Sequence, residues 1–502
     1  MLVFILRKKG VLLNALFLGN LKFISVILII ALFSELGVTQ TYEKIFRTTQ
    51  DDFAIDAIEL PDQSIIYIVN SGNFYSSNYS GKLFKVSSSG LLIDSIVITI
   101  PNGYNLNRLS NIFSLNDSIY VTTGECTNIA DNTQRILIFT FDQELSIIND
   151  TLTDFFVPSD YYFTYHTLNS SNRIVTIGTE LTNYNHFIYE YDLNGSLFNS
   201  KILIDTTFSV TYAAAIKEIE ETNKYHFFIF GFPQNFWIID KESFETDTIL
   251  NYPGTFLPFD AHCNFNNNSY LAIGRNYIGN GIYTPAFLQM DNMGNVLNMH
   301  SYTANPDTNS GNIEKSLDIY DDKIFLVAAY NFLVTGSYPF VNQQQWLWLN
   351  RINDDYSVSW QRFYKGEVNY MPYKVLATSD GGALILSTKY DWNDSIPLQR
   401  DVHILKVDST GWYEGLQTGI TEYDKPKQIL VYPNPVKDKV TFVLGLYDNL
   451  NLSIYNSNGQ CVIREKLLHS QTINMSHLPN GLYVYIIIGK DGFFEKGRLI
   501  KQ

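Results

Sequence analysis

The chain has 502 residues, 15% of them aromatic, and a formal net charge of −15 from 35 basic and 50 acidic side chains. This acidic balance argues against nucleic acid as a partner, because phosphate binding requires a positive field. Three widely spaced cysteines, Cys126, Cys263 and Cys461, argue against a disulfide framework and against a zinc site.

The first 39 residues have the pattern of a signal peptide for export through the inner membrane. An apolar run covers 23–33, and small or polar residues such as Ser34 follow it. The run is shorter than the ~20 residues that span a bilayer. No cysteine follows it directly, so a lipoprotein anchor is not expected. An uncleaved anchor stays open, because 11–18 is also apolar. The basic residues before the run are Arg7, Lys8, Lys9 and Lys22.

Between 41 and 420 the chain repeats with a period of about 53 residues, which is the range of repeat architectures. The first marker of each repeat is a strand that ends in a turn, often Asp-x-x-Gly. We expect the Asp side chains of these turns to cap their own backbone. The second residue of the marker lies at 87, 142, 192, 240, 291, 353 and 408.

A second marker alternates with the first: a polar pair precedes a strongly β-forming run. Two hairpins per repeat make four strands, and seven repeats predict an all-β, seven-bladed β-propeller. An array of β-sandwiches is the alternative, although the even spacing without Pro-rich linkers favours the closed ring. The seven pairs are Asp62-Gln63, Asn116-Asp117, Ser171-Asn172, Thr222-Asn223, Asn267-Asn268, Asp321-Asp322 and Asp380-Gly381.

The order of these markers also predicts how the ring closes. In the later repeats an outer strand such as 358–364 precedes the next repeat. The segment from Tyr42 to Thr48 holds the same place before the first repeat. We therefore expect it to form the outermost strand of the last blade, or to pair beside it.

The last residues form a separate pattern of short strands and turns. Two prolines in Tyr432-Pro433-Asn434-Pro435 remove backbone donors, so this segment cannot be a central strand. Asn458-Gly459 and Pro479-Asn480-Gly481 are turn signals, and Tyr483 follows the second in a β-forming run. The chain then ends in a basic strand that includes Lys501. These elements predict a small antiparallel β-sandwich domain.

These three motifs, in this order, resemble the C-terminal sorting domain of the type IX secretion system. The resemblance implies recognition by the translocon, removal by a processing protease and, for many passengers, attachment to surface lipopolysaccharide. We therefore expect a Gram-negative protein that is secreted or attached to the outer membrane at the cell surface. The predicted sorting domain covers 429–502, and a polar linker at 421–428 offers the cleavage site. The repeat at 378–408 also resembles one that is common in proteins with this domain.

The sequence shows no catalytic signature. No two histidines lie at i, i+3 or i, i+4, and His262 and Cys263 are adjacent, so a strand would point them to opposite faces. Gly-x-Ser-x-Gly and phosphate-binding loops are absent. We expect no enzyme activity, no metal and no cofactor. Calcium stays open because Asp and Asn are frequent in the turns, and 50 acidic residues prevent the selection of a catalytic carboxylate pair.

A few aromatic residues are candidates for a binding face. Trp346 and Trp348 share one face of a strand, where core packing is the expected role. Tyr161, Tyr162 and Tyr165 lie in a stretch that reads as a loop, so they are the better surface candidates. The predicted function is a non-enzymatic surface or secreted protein whose propeller binds a glycan or protein ligand. The alternatives are a secreted glycan-active hydrolase or lyase and a structural surface-layer component.

Overall fold

A computed structural model describes residues 40–413 and 429–502. The predicted signal peptide (1–39) and linker (421–428) lie outside this range. In the described part of the chain, no helix has the length and hydropathy needed to cross a membrane. Side chains at 161–164, 261–266, 430 and 494 are also not described. The internal gaps are 75–77, 155–160, 181, 205–210, 232–234, 267, 306–307, 312–314, 334–338, 395, 397, 445–449, 469–470 and 490–493.

The described residues divide into two compact units, one on each side of 414–428. In the first unit, the strands form consecutive antiparallel groups with four positions each. A single residue pair, Tyr79 with Leu106, also joins the first group to the second in one sheet. Group 1 consists of β2 (Asp51–Glu59), β3 (Ile65–Asn73), β4 (Asn78–Val86) and β5 (Leu92–Val97). Group 2 consists of β6 (Tyr104–Asn116), β7 (Ile119–Asn128), β8 (Gln134–Asp142) and β9 (Ile147–Leu152). Group 3 consists of β10 (Tyr161–Leu168), β11 (Ile174–Glu180), β12 (His186–Tyr191) and β13 (Leu197–Leu203).

The later groups repeat this plan. Group 4 consists of β14 (Thr211–Ile219), β15 (Lys224–Gly231), β16 (Asn235–Asp240) and β17 (Thr246–Asn251), with a 3₁₀ turn at Glu220–Thr222. Group 5 consists of β18 (Phe256–Asn266), β19 (Ser269–Gly279), β20 (Ile282–Asp291) and β21 (Val296–Ser301). Group 6 consists of β22 (Ser310–Gly311) and β23 (Leu317–Tyr320), which both pair β24 (Lys323–Tyr330), then β25 (Trp346–Ile352) and β26 (Val358–Tyr364). Group 7 consists of β27 (Asn369–Ala377), β28 (Ala383–Tyr390), β29 (Arg400–Val407) and, from the start of the chain, β1 (Tyr42–Phe46).

Strand β1 completes the last group. It pairs antiparallel with β29, from Tyr42 opposite Lys406 to Phe46 opposite Val402. The strand order in this group is β1-β29-β28-β27, so β1 is the outermost strand. The predicted closure by the N-terminal strand is therefore confirmed.

Apolar clusters lie between each group and the next. One joins group 1 to group 2, one joins group 2 to group 3, and a large one joins groups 3, 4 and 5. Two more join group 5 to group 6 and group 6 to group 7. The last joins Leu384 and Ile404 of group 7 to Ala54 and Ile65 of group 1. Four-stranded sheets packed in a closed circle define a β-propeller, and the all-β propeller prediction is confirmed.

The sequence of each strand matches its position in the group. Second and third strands lie between two neighbouring groups, so they are buried on both faces and read as continuous apolar runs. Strand β3 is buried over Ile65–Gly72, and β28 is buried over nearly its whole length. Fourth strands such as β5 face solvent at the rim and are mostly exposed.

The second unit is a small antiparallel sandwich with its own core. One sheet has the order β30-β31-β34, from β30 (Leu430–Tyr432), β31 (Lys439–Val443) and β34 (Gln471–Asn474). The other has the order β33-β32-β35-β36, from β32 (Leu450–Tyr455), β33 (Cys461–Leu467), β35 (Gly481–Ile488) and β36 (Phe494–Lys501). Phe442, Leu452, Tyr485 and Leu499 are among the buried side chains that both sheets contribute to this core.

Candidate functional site

The propeller has two ends that differ in the links between their strands. Neighbouring strands in a group run in opposite directions. The links between second and third strands therefore lie at the same end of the propeller as the links that join one group to the next. We name this the loop end, and it includes long links such as 302–309 and 331–345. Links between first and second strands and between third and fourth strands share the opposite end, named the turn end. These links are short, as at 60–64, 117–118 and 143–146.

At the turn end, carboxylates bind the backbone of their own turns. Asp142 Oδ1 accepts hydrogen bonds from the backbone nitrogens of Glu144 and Ser146, at 3.0 and 2.8 Å. The predicted capping role of these Asp residues is confirmed. The same arrangement recurs at Asp192, Asp291 and Asp408. Asp240 Oδ1 accepts instead from the backbone nitrogens of Glu242 and Ser243.

Other turn-end carboxylates connect neighbouring groups. Glu59 of group 1 accepts hydrogen bonds from the backbone nitrogen and hydroxyl of Ser379 in group 7, at 2.7 and 3.0 Å. Glu218 of group 4 does the same for Ser170 of group 3, at 2.6 and 2.7 Å. These acids are therefore occupied with structural hydrogen bonds. The turn end also has a cation–aromatic contact, because the Arg173 guanidinium lies 3.3 Å from the Phe198 ring centroid.

At the loop end, Arg400 joins group 7 to group 1. Its guanidinium donates to both carboxylate oxygens of Asp51, at 2.8 and 2.6 Å, and to the Tyr373 hydroxyl at 2.9 Å. The same guanidinium lies 4.8 Å from the Phe53 ring centroid and 5.7 Å from that of Phe74. Phe74 is 37% exposed, so one ring of this cluster reaches solvent.

A second cation–aromatic cluster occupies the loop end between groups 5 and 6. The Arg275 guanidinium lies 4.4, 5.4 and 5.3 Å from the ring centroids of Phe259, Tyr283 and Phe332. Tyr277, which is 40% exposed, packs against Tyr283 with ring centroids 5.3 Å apart. Aromatic faces beside guanidinium groups combine apolar contact with donors, which suits sugar rings and peptides.

In the middle of the ring, a buried network of charges connects several groups. The ammonium group of Lys315, in group 6, contacts Asp56 Oδ2 of group 1 at 2.8 Å and the Ser110 carbonyl oxygen of group 2 at 2.7 Å. Lys374 of group 7 lies 3.5 Å from Asp56 Oδ1. Burial opposes ionisation of Asp56, but Lys315 and Lys374 outweigh it and hold the pKa of this carboxyl below its ordinary value.

The network extends to the opposite side of the ring through Asp260 of group 5. Asp260 Oδ2 accepts from the backbone nitrogen of Lys315 at 3.1 Å, and Oδ1 accepts from the Tyr165 hydroxyl of group 3 at 2.6 Å. Both central carboxylates, Asp56 and Asp260, are therefore paired with cations or donors. The arrangement connects groups 1, 2, 3, 5, 6 and 7 at the centre of the ring.

The aromatic candidates from the sequence have different outcomes. Tyr161–Leu168 is strand β10, not a loop, and Tyr165 is buried and bound to Asp260, so its prediction as a surface residue was wrong. The side chains of Tyr161 and Tyr162 lie outside the described atoms. Trp348 is buried and stacks on Phe363 with ring centroids 5.9 Å apart, which is the expected core packing. Trp346 is partly buried and packs edge-on against Tyr330.

In the second unit, the first motif packs beside the last strand. The side-chain nitrogen of Asn434 donates to the Arg498 carbonyl at 2.8 Å, and its Oδ1 accepts from the backbone nitrogen of Ile500 at 2.9 Å. Val436 then forms a parallel bridge with Lys501. Both Pro433 and Pro435 follow cis peptide bonds. The proline motif thus covers the edge of β36, and Tyr432, before it, is exposed.

The third motif, at 479–483, contacts β36. The second motif, at 458–459, lies in a different turn. Gly481 pairs with Lys501, and the Tyr483 hydroxyl donates to the Pro479 carbonyl at 2.8 Å across the turn that includes Asn480. By contrast, Asn458 and Gly459 form the hairpin turn between β32 and β33, where Gly459 has φ 76°. The structure therefore brings together two of the three motifs.

The described residues contain no group of three or more His, Cys, Asp or Glu side chains placed to hold a metal. Cys126 is buried, and burial raises the pKa of its thiol to about 12, which makes it a poor nucleophile. Cys461 is exposed. Cys263 lies on β18 beside His262, but neither side chain is described.

Comparison with known protein families agrees with the interpretation of the C-terminal motifs. Residues 430–502 match the secretion system C-terminal sorting domain family. This match confirms the type IX sorting-domain resemblance at the C-terminus. A domain of this kind implies export to the cell surface or the medium and interaction with the type IX secretion machinery. No curated protein is significantly similar to the chain.

Solved structures resemble the chain only at low identity. Raptor from Chaetomium thermophilum is 9% identical with a TM-score of 0.43, and the match covers 74% of this chain and 30% of that one. The β-propeller domain of the Trilobed protease from Pyrococcus furiosus is 10% identical with a TM-score of 0.41, over 74% of this chain and 100% of that one. An α-L-arabinofuranosidase from Fusarium graminearum is 10% identical with a TM-score of 0.41, over 73% and 97% of the two chains.

Proposed function

We propose that this protein is an exported β-propeller that binds a glycan or protein ligand at its loop end and does not catalyse a reaction. The observation that carries the proposal is the pair of cation–aromatic clusters around Arg400 and Arg275 at the loop end, each with one ring that reaches solvent. Long links surround these clusters, and long links are where binding residues concentrate in rigid scaffolds.

The chemistry of the loop end supports a ligand with both apolar and polar groups. Phe74 and Tyr277 present ring surface to solvent, and each belongs to a cluster that contains a guanidinium. A sugar ring stacks its apolar face on such aromatics, and a peptide side chain uses the same contact. Arg400 is already paired with Asp51. We therefore infer that Arg400 holds the aromatic rings in place and that the rings contact the ligand.

The alternative, a glycan-active enzyme, requires two carboxylates that converge on a substrate. The central acids Asp56 and Asp260 both contact Lys315, and each has a further partner. A catalytic acid needs a raised pKa, but the pKa of Asp56 is lowered. This pairing favours a binding role over hydrolysis.

The test uses the chain from residue 40 to 502 on glycan and protein arrays, followed by mass spectrometry of the incubated ligands. We expect selective binding with every ligand intact. We also expect Phe74→Ala/Tyr277→Ala to weaken binding at least tenfold, while Trp412→Ala, which removes an equally exposed aromatic at the turn end, has little effect. Shortened ligands would support the enzyme alternative, and no binding to any ligand would support the surface-layer component.

A further inference from the structure

One face of the second unit combines exposed aliphatic side chains with a row of cations on either side. Strand β35 is apolar on both faces. Tyr483, Tyr485 and Ile487 point into the core, so Leu482, Val484, Ile486 and Ile488 point outward. Leu482 is 47% exposed and Ile488 is 49% exposed. An outward aliphatic stripe of this length is unusual on a small domain and marks an interaction surface.

Strand register places basic side chains along this stripe. Lys496 lies opposite Ile486, and Arg498 lies opposite Val484, both on β36. On the other side of β35, Ser453 of β32 lies opposite Ile486, and Arg464 of β33 lies opposite Ser453. Neighbouring strands are about 4.8 Å apart, so Lys496 and Arg498 lie one strand from the stripe and Arg464 lies two strands from it.

The outward face of this sheet therefore has a defined composition. We name it the cationic stripe, and its members are Leu482, Val484, Ile486, Ile488, Ile500, Arg464, Lys466, Lys496 and Arg498. The nearby acids Glu465 and Glu495 alternate to the opposite face in the register. Within the described residues, none of the four basic side chains has an acidic partner within ion-pair distance.

The charge of the unit differs from that of the rest of the chain. Residues 430–502 contain eight basic and five acidic side chains, whereas residues 40–429 contain 23 basic and 44 acidic ones. An anionic surface therefore attracts the second unit and repels the propeller. Because of this difference in net charge, we expect the second unit to approach an anionic surface more readily than the propeller.

We propose that the cationic stripe docks the second unit on an anionic lipid bilayer. The aliphatic side chains enter the boundary between headgroups and acyl chains, and the flanking Lys and Arg contact lipid phosphates. An acidic protein partner would satisfy the same charges. The bilayer is favoured because cations lie on both sides of a strand-long apolar stripe, and because the unit that carries the stripe is net basic. The proposal does not depend on the ligand of the propeller.

The experiment is co-flotation of residues 40–502 with vesicles of phosphatidylcholine containing 30% phosphatidylglycerol, compared with phosphatidylcholine alone. We expect binding only to the anionic vesicles, and weakening as salt rises from 50 to 300 mM. Lys496→Glu/Arg498→Glu should reduce binding at least tenfold. The matched control is Lys437→Glu/Lys439→Glu, which makes the same charge change at exposed positions of the other sheet and should change binding less than twofold.

A second pair of variants tests the apolar contribution. Leu482→Ser/Ile488→Ser should weaken binding about tenfold, whereas Ile249→Ser, at a similarly exposed position on the propeller rim, should not. Thermal unfolding of every variant shows whether the fold is kept. The proposal is overturned if the chain does not bind anionic vesicles, if both charge-reversed pairs lose binding equally, or if binding occurs only to an acidic protein.

Discussion

At the scale of single residues, Lys315 contributes most to the centre of the propeller. Its side chain contacts groups 1 and 2, and its backbone contacts Asp260 of group 5, so one residue connects distant parts of the ring. Buried ion pairs contribute little compared with apolar packing, but removal of one partner leaves a buried charge without compensation. The network therefore makes closure of the ring depend on a small number of side chains.

This dependence predicts a strong effect at Asp56. Asp56→Asn leaves the ammonium groups of Lys315 and Lys374 without their carboxylate, so we expect a loss of about 3–5 kcal/mol in the free energy of unfolding. The double variant Asp56→Asn/Lys315→Met should lose about 1–3 kcal/mol less than the sum of the single variants. Denaturant unfolding measures all three. Exposed Asp150→Asn is the control, and additive single effects would contradict a coupled pair.

A second residue gives a prediction about pH. Burial raises the pKa of Asp401 to about 6, and Asp52 and Asp394 add to the shift while Arg47 opposes it. The folded carboxyl therefore holds its proton more tightly than the unfolded one, so stability falls as the pH rises towards 6 and stays at the lower value above that pH. We expect Asp401→Asn to raise the Tm at pH 8. This advantage should shrink as the pH falls from 6 towards 4. Thermal unfolding across this range is the measurement, and a lower Tm at pH 8 would contradict the pKa assignment.

At the scale of elements, the closing strand β1 connects the start of the first unit to its end. Oε1 of Glu43, in β1, lies 3.1 Å from Nε2 of His403 in group 7. The same oxygen lies 2.5 Å from Nζ of Lys365, which follows the last strand of group 6. Tyr42 is buried, and its ring fills the space next to Gly90. The strand therefore contributes apolar packing, an ion pair with Lys365 and a hydrogen bond with His403.

Deletion of residues 40–48 should lower the Tm of the whole propeller by several degrees, because a closed ring unfolds cooperatively. Differential scanning calorimetry measures this change. Tyr42→Ala should cost about 3 kcal/mol, because it removes a buried ring. Ile45→Ala, at an exposed position of the same strand, should stay within about 0.5 kcal/mol. Equal Tm values with and without the strand would contradict closure by β1.

Most of the strand pattern could be predicted from the sequence, because it depends on local signals. Asp142 and Asp192 mark turns through hydrogen bonds to residues two and four positions later, so short sequence patterns reveal them. The position of β1 followed from the order of the repeats. The prediction of a loop around Tyr161, Tyr162 and Tyr165 was wrong, although tyrosine favours strands, because the place of β10 in group 3 depends on its pairing with β11.

The central network could not be predicted, because it depends on distant contacts. Lys315 and Asp56 are 259 positions apart, and Tyr165 and Asp260 are 95 apart. The available signal was a charged residue within an apolar strand, as with Asp56 between Ile55 and Ala57. Such a signal identifies a buried charge but not its partner.

At the scale of the whole molecule, the sorting domain determines where the propeller acts. Truncation after Tyr423 should leave the propeller folded in the periplasm, because the part that matches the sorting family is removed. Protease accessibility on intact cells, with cell fractionation, measures this outcome. Asp150→Asn in the full chain is the control for expression. Surface display of the truncated chain would contradict the export route.

The most direct test of the proposed binding face is hydrogen–deuterium exchange of residues 40–502 with and without a ligand from the arrays. We expect bound ligand to protect loop-end backbone, in ranges such as 98–103, 252–255 and 365–368. We expect no change in turn-end ranges such as 87–91, 143–146 and 292–295. Protection confined to the turn end would contradict the proposed binding face, and so would protection confined to the C-terminal unit.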